Sequence, residues 1–318
     1  MTYVLLIVGF ALLIKGADWL VNGASSVATK FKISNLVIGL TIVAFGTSMP
    51  ELFVNLFASF QDKADIAIGN VVGSNLVNTL LILGVAAVIY PLKVVRGTVW
   101  KEIPMSLLAG VMVFVLANDG LINGGDVNVL SRIDGIILMI FFGFFGLYLF
   151  DLSKTQVIHQ EQIEPKQYPV SRSAALVLIG IVSLVLGGQM IVQSASEIAV
   201  TFGLSQALIG LTIVAVGTSL PELATSAVAA YKKNADIAVG NVVGSNIFNV
   251  FWVLGLSAVI RPVPFQASLN WDVGLVIAAS LLLFIAMFVG KKYILQRWQG
   301  VLLILAYVAY IVMVVMRG

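Results

Sequence analysis

Two glutamates lie inside apolar stretches, and the residues around them could bind a charged ligand. Glu51 ends the motif GTSMPE and Glu222 ends GTSLPE, each within a segment long enough to cross a bilayer. An ionised glutamate at the bilayer centre is costly unless it is paired or solvated. Thr47 and Thr218 precede the glutamates by four positions, so each threonine shares a helical face with its glutamate. The two motifs therefore predict a polar site within a membrane.

Each motif also contains a proline that should interrupt its helix. Pro50 and Pro221 have no N–H and disfavour helical backbone before them. We expect backbone carbonyls one turn earlier, around Ala44–Gly46 and Ala215–Gly217, to lose their helical partners. In hydrocarbon these carbonyls need a substitute partner, and a cation is one candidate.

A polar stripe follows each motif along the chain. Its members recur every four positions and are Asn70, Ser74 and Asn78, then Asn241, Ser245 and Asn249. All these groups offer oxygen. Sulfur and imidazole nitrogen are not available beside them, since the chain has no cysteine and its single histidine, His159, lies in a polar connecting segment. Oxygen suits hard cations: Ca²⁺ takes about 6–8 oxygens at roughly 2.3–2.6 Å, and Na⁺ has a similar size. Zinc or copper would favour nitrogen or sulfur.

Structural roles are the alternative for these residues. Glycine and proline often serve packing or kinking in membrane helices, and Ser or Thr hydroxyls often bond their own backbone. The same set occurs twice around two glutamates, and this repetition favours binding. Asp65 and Asp236 suit the beginnings of predicted helices 3 and 8. Lys15 and Asp18 lie three positions apart and can pair.

An internal duplication determines the predicted architecture. Residues 41–92 align with residues 212–263 without gaps, at an offset of 171 (212 − 41), and 29 of the 52 positions are identical. Each copy holds five predicted spans, and because five is odd the second copy enters the membrane inverted. We predict an all-α integral membrane fold of ten transmembrane helices in two inverted five-helix repeats, 1–152 and 172–318, with a cytoplasmic linker at 153–171. Helices 2, 3, 7 and 8 should surround a cation site at the midplane, where Glu51 and Glu222 face one another.

The composition indicates a membrane protein and argues against a soluble one. Hydrophobic residues make up 60% of the chain and charged residues 10%, against about 25% charged in soluble domains. A helical span needs roughly 20 apolar residues. Segments of this kind lie near 2–24, 34–58, 66–90, 102–118, 132–152, 172–196, 205–230, 236–260, 272–289 and 297–316. Most lysines and arginines lie in the connections that follow predicted helices 1, 3, 5, 7 and 9. The positive-inside rule places these connections in the cytoplasm, and it therefore predicts extracytoplasmic termini.

The motifs resemble those of the sodium/calcium exchangers of the calcium/cation antiporter superfamily, in their compact prokaryotic form. The resemblance covers essentially the full length and rests on GTSMPE with GNVVGSNLVN, then GTSLPE with GNVVGSNIFN. It implies a secondary active antiporter, not an enzyme, that exchanges Na⁺ for Ca²⁺ by alternating access while helices 1 and 6 slide across the rest. It also implies a functional monomer in a prokaryotic plasma membrane. The implied partners are Ca²⁺, Na⁺ and the lipid bilayer, without a prosthetic group or nucleic acid.

The resemblance assigns cation ligands position by position. The acidic ligands are Glu51 and Glu222, and the carbonyl ligands belong to Ala44 and Ala215. The hydroxyl ligands are Thr47, Ser48, Ser74, Thr218, Ser219 and Ser245. The central polar positions are Asn78 and Asn249. Potassium-dependent relatives carry Asp where Asn249 stands, which argues against potassium dependence here.

Three other functions compete with Na⁺/Ca²⁺ exchange. A Ca²⁺/H⁺ antiporter on the same scaffold is the neighbouring alternative, although proton-coupled relatives usually lack Thr-Ser-x-Pro before the glutamate. An intramembrane hydrolase would need a histidine pair or a serine with a base, and duplicated helix breaks suit alternating access better than a passive channel. With Asn78 and Asn249 neutral, one Ca²⁺ or two Na⁺ would cancel the two carboxylates. We expect both ions to compete for the glutamates and acid to inhibit both, because an empty pair of carboxylates should take up protons.

Overall fold

The computed structural model describes residues 2–61, 64–118, 128–154, 167–202 and 215–317, which form a bundle of long apolar helices. In this part of the chain, eight helices are long and apolar enough to cross a membrane, and a bent pair of shorter helices makes up to a ninth. The beginning of predicted helix 7, most of the 153–171 linker with His159, and the side chain of Asp65 lie outside the described residues.

The helices follow the predicted spans along the chain. Those of the first half are α1 (Thr2–Phe31), α2 (Asn35–Thr47 and Met49–Phe60), α3 (Ala64–Leu76, Val77–Ile82 and Leu83–Ile89), α4 (Arg96–Trp100 and Glu102–Leu116) and α5 (Arg132–Lys154). Those of the second half are α6 (Val170–Thr201), α7 (Ala215–Gly217 and Leu220–Tyr231), α8 (Ala235–Ile247, Phe248–Leu254 and Gly255–Ile260), α9 (Asn270–Ala286) and α10 (Arg297–Arg317). Among the described residues, three stretches turn as π-helices, namely Gly39–Val43, Val77–Ile82 and Phe248–Leu254.

α3 and α8 form the centre of the bundle. The most apolar stretch of α3 is 72% buried and that of α8 is 78% buried, against 22% for α10. Glycines allow α8 to approach α2 closely, since a Cβ at Gly240 would lie 2.9 Å from the Leu36 carbonyl oxygen. Small residues at membrane helix interfaces permit this close packing of backbones. The faces of α2 and α8 that meet at this contact are therefore buried within the bundle.

α1 and α6 pack along their whole length through small residues. A Cβ at Gly9 would lie 3.0 Å from the Gly187 carbonyl oxygen, and one at Gly16 would lie 2.9 Å from the Gly180 carbonyl oxygen. Residue numbers rise along α1 as they fall along α6 at these contacts, so the two helices are antiparallel.

Two short antiparallel strand pairs tie connections of the two halves together. β1 (Leu92–Lys93) pairs with β4 (Ile294–Leu295), and β2 (Val129–Leu130) pairs with β3 (Val263–Pro264). The connection between α3 and α4 is thereby joined to that between α9 and α10. The connection between α4 and α5 is joined to that between α8 and α9.

Asp18 on α1 pairs with a lysine of the other half of the chain. Lys232 Nζ lies 2.5 Å from Asp18 Oδ1 and donates to Asn22 Oδ1 at 2.7 Å. The expectation that Asp18 pairs with Lys15 is therefore wrong. Lys232 follows α7, and its ammonium contacts the side chains of Asp18 and Asn22 at once.

Candidate cation site

The break in α2 falls at Ser48. Its N–H donates to the Ala44 carbonyl at 3.0 Å, and the helix resumes where Leu52 N–H donates to the Ser48 carbonyl at 3.1 Å. The two pieces meet at an angle of 46°. Pro50 lies in the first turn of the second piece, where a missing N–H is tolerated. The expectation that the carbonyls around Ala44–Gly46 lose their helical partners is therefore wrong for Ala44. Helical bonds run from residue i to i−4, so the proline withdraws its donor from Gly46.

The break in α7 has a different backbone bond. Ser219 N–H donates to the carbonyl of Val216 at 3.1 Å, three residues back. The equivalent N–H of Ser48 reaches four residues back to Ala44. The carbonyl of Ala215 consequently lacks the serine N–H that binds Ala44, so the two breaks differ in which carbonyl accepts the serine N–H.

Each glutamate accepts hydrogen bonds from both halves of the chain. One donor is a serine of α3 or α8 in the same half, and the other is the serine at the helix break of the opposite half. The distances to Oε1 are 3.2 Å for Ser74 to Glu51, 3.2 Å for Ser219 to Glu51, 3.0 Å for Ser48 to Glu222 and 3.5 Å for Ser245 to Glu222. Both glutamates are completely buried. The fold thus brings the two helix breaks, and six of the predicted ligands, into one site.

Five buried oxygen atoms of the predicted ligands have no hydrogen-bond partner. They are Glu51 Oε2, Glu222 Oε2, Asn78 Oδ1, Asn249 Oδ1 and Thr218 Oγ1. Leaving a buried polar group unsatisfied costs about 1–3 kcal/mol, and more for a charged group. Open lone pairs collected on one set of residues suit a ligand that carries positive charge.

The two threonines of the motifs differ in their contacts. Thr47 Oγ1 lies 3.1 Å from the Val43 carbonyl and 3.0 Å from Asn241 Oδ1, so its proton is engaged within the protein. Thr218 has no such partner. Thr47 therefore has the backbone-bonding role that the sequence left open as an alternative, while Thr218 keeps its hydroxyl free.

An outer ring of polar residues holds the backbone of each glutamate. Asn70 Nδ2 donates to Asn55 Oδ1 at 2.7 Å and to the Glu51 carbonyl at 3.4 Å. In the second half, Asn241 Nδ2 donates to Ser226 Oγ at 2.9 Å and to the carbonyl of the glutamate at 3.3 Å. Asn55 and Ser226 are not among the residues that the sequence predicted for the site. Their position, one helical turn after each glutamate, was the available signal.

The arrangement favours a hard cation. The described residues contain no group of three or more His, Cys, Asp or Glu that could hold a metal ion. A cation between the breaks would meet two carboxylates together with hydroxyl, amide and carbonyl oxygens. Such all-oxygen sets are the ligands that Ca²⁺ takes in proteins.

One family of known proteins matches nearly the whole chain. The family model described as sodium/calcium exchanger protein matches residues 1–150 and 172–316. The inner membrane protein YrbG of Escherichia coli K12 is 39% identical over 266 residues, which cover 81% of this chain and 79% of that protein. The sodium/calcium exchanger MaX1 of Methanosarcina acetivorans is 33% identical over 342 residues, which cover 98% and 97%.

The fold is also shared with a solved structure. The sodium-calcium exchanger NCX_Mj, soaked with Na⁺ and Ca²⁺, superposes with a TM-score of 0.82 at 33% sequence identity. The match covers 98% of this chain and 97% of that chain.

Proposed function

The chain belongs to the sodium/calcium exchanger protein family and is a multi-pass membrane cation antiporter; on that premise, we propose that it exchanges Na⁺ for Ca²⁺ at the site between α2, α3, α7 and α8. The observation that carries this proposal is the pair of buried glutamates, each of which accepts a hydrogen bond from a serine of the opposite half. The similarity to two proteins named sodium/calcium exchangers supports the choice of ions.

The proposed ligands are the oxygen groups collected around the two breaks. They are Glu51, Glu222, Thr47, Thr218, Ser48, Ser219, Ser74, Ser245, Asn78, Asn249 and the carbonyls of Ala44 and Ala215. The five oxygens without partners support this set, because a bound cation would satisfy them. One chain supplies every proposed ligand, which supports a functional monomer.

Charge balance supports competition between the two ions. Two carboxylates are cancelled by one Ca²⁺ or by two Na⁺. A third Na⁺, which the family resemblance implies, would leave the occupied site at net +1. Exchange of three Na⁺ for one Ca²⁺ would then move one positive charge outward for each Ca²⁺ taken up.

We further propose that ten helices form two inverted repeats, 1–152 and 172–318, joined by the linker at 153–171. α1 and α6 occupy equivalent places in the two repeats, and their antiparallel packing through glycines supports the inversion. The complete burial of Glu51 and Glu222 supports alternating access, since an ion can reach them only after helices move. Sliding of α1 and α6 together would supply that movement.

The test of Na⁺/Ca²⁺ exchange is uptake of radiolabelled Ca²⁺ into proteoliposomes that contain the purified protein. We expect an outward Na⁺ gradient to drive uptake, and an inside-positive membrane potential to accelerate it. Outward gradients of K⁺ or H⁺ serve as matched controls and should be ineffective. Uptake driven by the H⁺ gradient instead would make the protein a Ca²⁺/H⁺ antiporter, and uptake indifferent to every gradient would indicate a channel.

We propose that the protein lies in the inner membrane of a prokaryote with both termini outside the cytoplasm. The distribution of lysine and arginine among the connections supports this orientation. The chain has no cysteine, so a Gln162→Cys variant reports the linker alone. The new thiol should react only with a membrane-permeant reagent. Labelling of intact cells by an impermeant reagent would reverse the orientation.

A further inference from the structure

Two buried asparagines outside the proposed ligand set join α3 to α8. Asn75 and Asn246 are each 3% exposed, and their side chains bond the amides of Asn249 and Asn78. We infer that Asn75 and Asn246 are positioning residues, which hold the NH₂ ends of those two amides so that the oxygen ends face the cation. The inference rests on the proposed function, because it assigns a role at the same site.

The first of these contacts fixes the orientation of Asn249 without ambiguity. Asn75 Nδ2 donates to the backbone carbonyl of Asn246 at 3.3 Å. A carbonyl can only accept, so the NH₂ end of Asn75 must point there and its oxygen must point to Asn249. Asn249 Nδ2 donates to that oxygen at 3.1 Å. The oxygen of Asn249 is left completely buried and without a partner.

The second contact repeats this pattern with a weaker anchor. Asn78 Nδ2 donates to Asn246 Oδ1 at 3.1 Å, and Asn246 Nδ2 donates to Thr79 Oγ1 at 2.8 Å. A hydroxyl both donates and accepts, so Thr79 alone does not dictate which end of Asn246 it meets. The second half has Val250 at the place equivalent to Thr79. The hold on Asn78 is consequently less strict than the hold on Asn249.

The orientation of these amides decides whether they bind or repel a cation. An amide oxygen is a ligand for Ca²⁺, whereas an amide NH₂ turned toward the ion would place positive partial charge against it. An amide at the centre of a site can turn end for end unless a neighbour fixes it. Asn75 and Asn246 supply that neighbour from the opposite repeat.

The competing explanation is that this network only joins α3 to α8, as polar side chains do in other membrane bundles. A change at position 249 separates the two roles. An aspartate has an oxygen at both ends, so it needs no orientation and would also meet the Asn75 oxygen unfavourably. Asn75→Leu should therefore weaken Ca²⁺ binding in the native protein but not in an Asn249→Asp background.

The experiment measures uptake of radiolabelled Ca²⁺ into Ca²⁺-loaded proteoliposomes, which requires no Na⁺ or H⁺ gradient. We expect Asn75→Leu to raise the Ca²⁺ concentration for half-maximal exchange about tenfold, with a smaller rise for Thr79→Val. In the Asn249→Asp background, Asn75→Leu should leave that concentration unchanged or lower it. Should the Asp background be inactive, Asn249→Ala replaces it, since it has no amide to orient, and Asn75→Leu should again add no loss.

Asn118→Leu is the matched control, because Asn118 and Asn270 exchange hydrogen bonds of 2.7 and 2.8 Å between α4 and α9. It removes an interhelical amide pair of the same kind but should leave the Ca²⁺ dependence unchanged. Stabilisation of each purified variant against heat by CaCl₂ gives a second readout, and Asn75→Ala replaces Asn75→Leu if the latter does not fold.

Equal losses from Asn75→Leu in the native and Asn249→Asp backgrounds would overturn the positioning role alone. A native protein that exchanges no Ca²⁺ would overturn the proposed function, and the positioning role with it.

Discussion

The two halves of the molecule share the same serine–glutamate contacts at the site and differ in the contacts at its edge. Each glutamate accepts from a serine of its own half and from the serine at the opposite break. At the edge, Asp18 pairs with Lys232, whereas the equivalent places in the other half hold Gln189 and Gln61. The binding chemistry therefore constrains the centre in both halves, while the contacts that hold α1 and α6 are free to diverge.

The backbone hydrogen bonds at the two helix breaks also differ between the halves. Ser48 N–H binds the carbonyl four residues back, and Ser219 N–H binds the one three residues back. The serine side chains nonetheless reach equivalent carboxylates. The side-chain contacts of the site are therefore kept in both halves without identical backbone geometry.

The largest effect should come from the carboxylates. Glu51→Gln and Glu222→Gln should each abolish Na⁺-gradient-driven Ca²⁺ uptake, because one carboxylate cannot neutralise a divalent ion in a low-dielectric site. Glu197→Gln is the matched control, since Glu197 is an exposed glutamate on α6. Near-normal uptake by both site variants, in vesicles that contain equal amounts of protein, would refute the two-glutamate mechanism.

The next effect concerns the serines that reach across the halves. Hydrogen bonds to charged groups are worth about 1.5–3 kcal/mol, so Ser48→Ala and Ser219→Ala should each weaken Ca²⁺ affinity about tenfold or more. Affinity is measured by titrating Ca²⁺ in the exchange assay. Ser257→Ala removes a buried serine that bonds only its own helix and should have little effect. Strongly unequal losses for Ser48 and Ser219 would break the proposed equivalence of the two halves.

A subtler change adds charge at the centre. Asn249→Asp should leave Ca²⁺ binding intact but make uptake more sensitive to acid, because a third carboxylate exceeds the charge of one Ca²⁺ and a proton can cancel the excess. Asn78→Asp is the matched change in the other half. Uptake is measured across a pH series for both variants and the native protein. Identical pH profiles for all three would contradict the charge balance.

The smallest effect should lie at the edge. Lys232 and Asp18 are 27% and 41% exposed, and exposed ion pairs contribute about 1 kcal/mol or less. Asp18→Asn or Lys232→Met should change the maximal exchange rate only a few-fold, by shifting the balance between conformations of α1. The effect should fade at high salt, as measured by flux at two ionic strengths. A large loss of Ca²⁺ affinity instead would place this pair within the binding site.

The sequence alone identified the duplication, the apolar spans and the two broken helices with their glutamates. These features are local: an apolar run predicts a span, and a proline predicts a break wherever the chain later packs. The helices of the described residues follow those predictions, although α1 continues to Phe31, beyond the predicted end at residue 24. The sequence predicted only a continuous helix at Val77–Ile82 and Phe248–Leu254, where the structure has π-helical turns.

The tertiary structure alone decided which side chains meet. Ser219 donates to Glu51, which lies 168 residues earlier in the chain. Asp18 pairs with Lys232 and not with its neighbour Lys15, and Asn75 accepts from the amide of Asn249. No spacing along one helix predicts such contacts, because they depend on how α1, α2, α3, α7 and α8 lie against one another. The sequence determines the type of each side chain. The neighbours that bind some of its atoms determine which of the remaining atoms face a ligand.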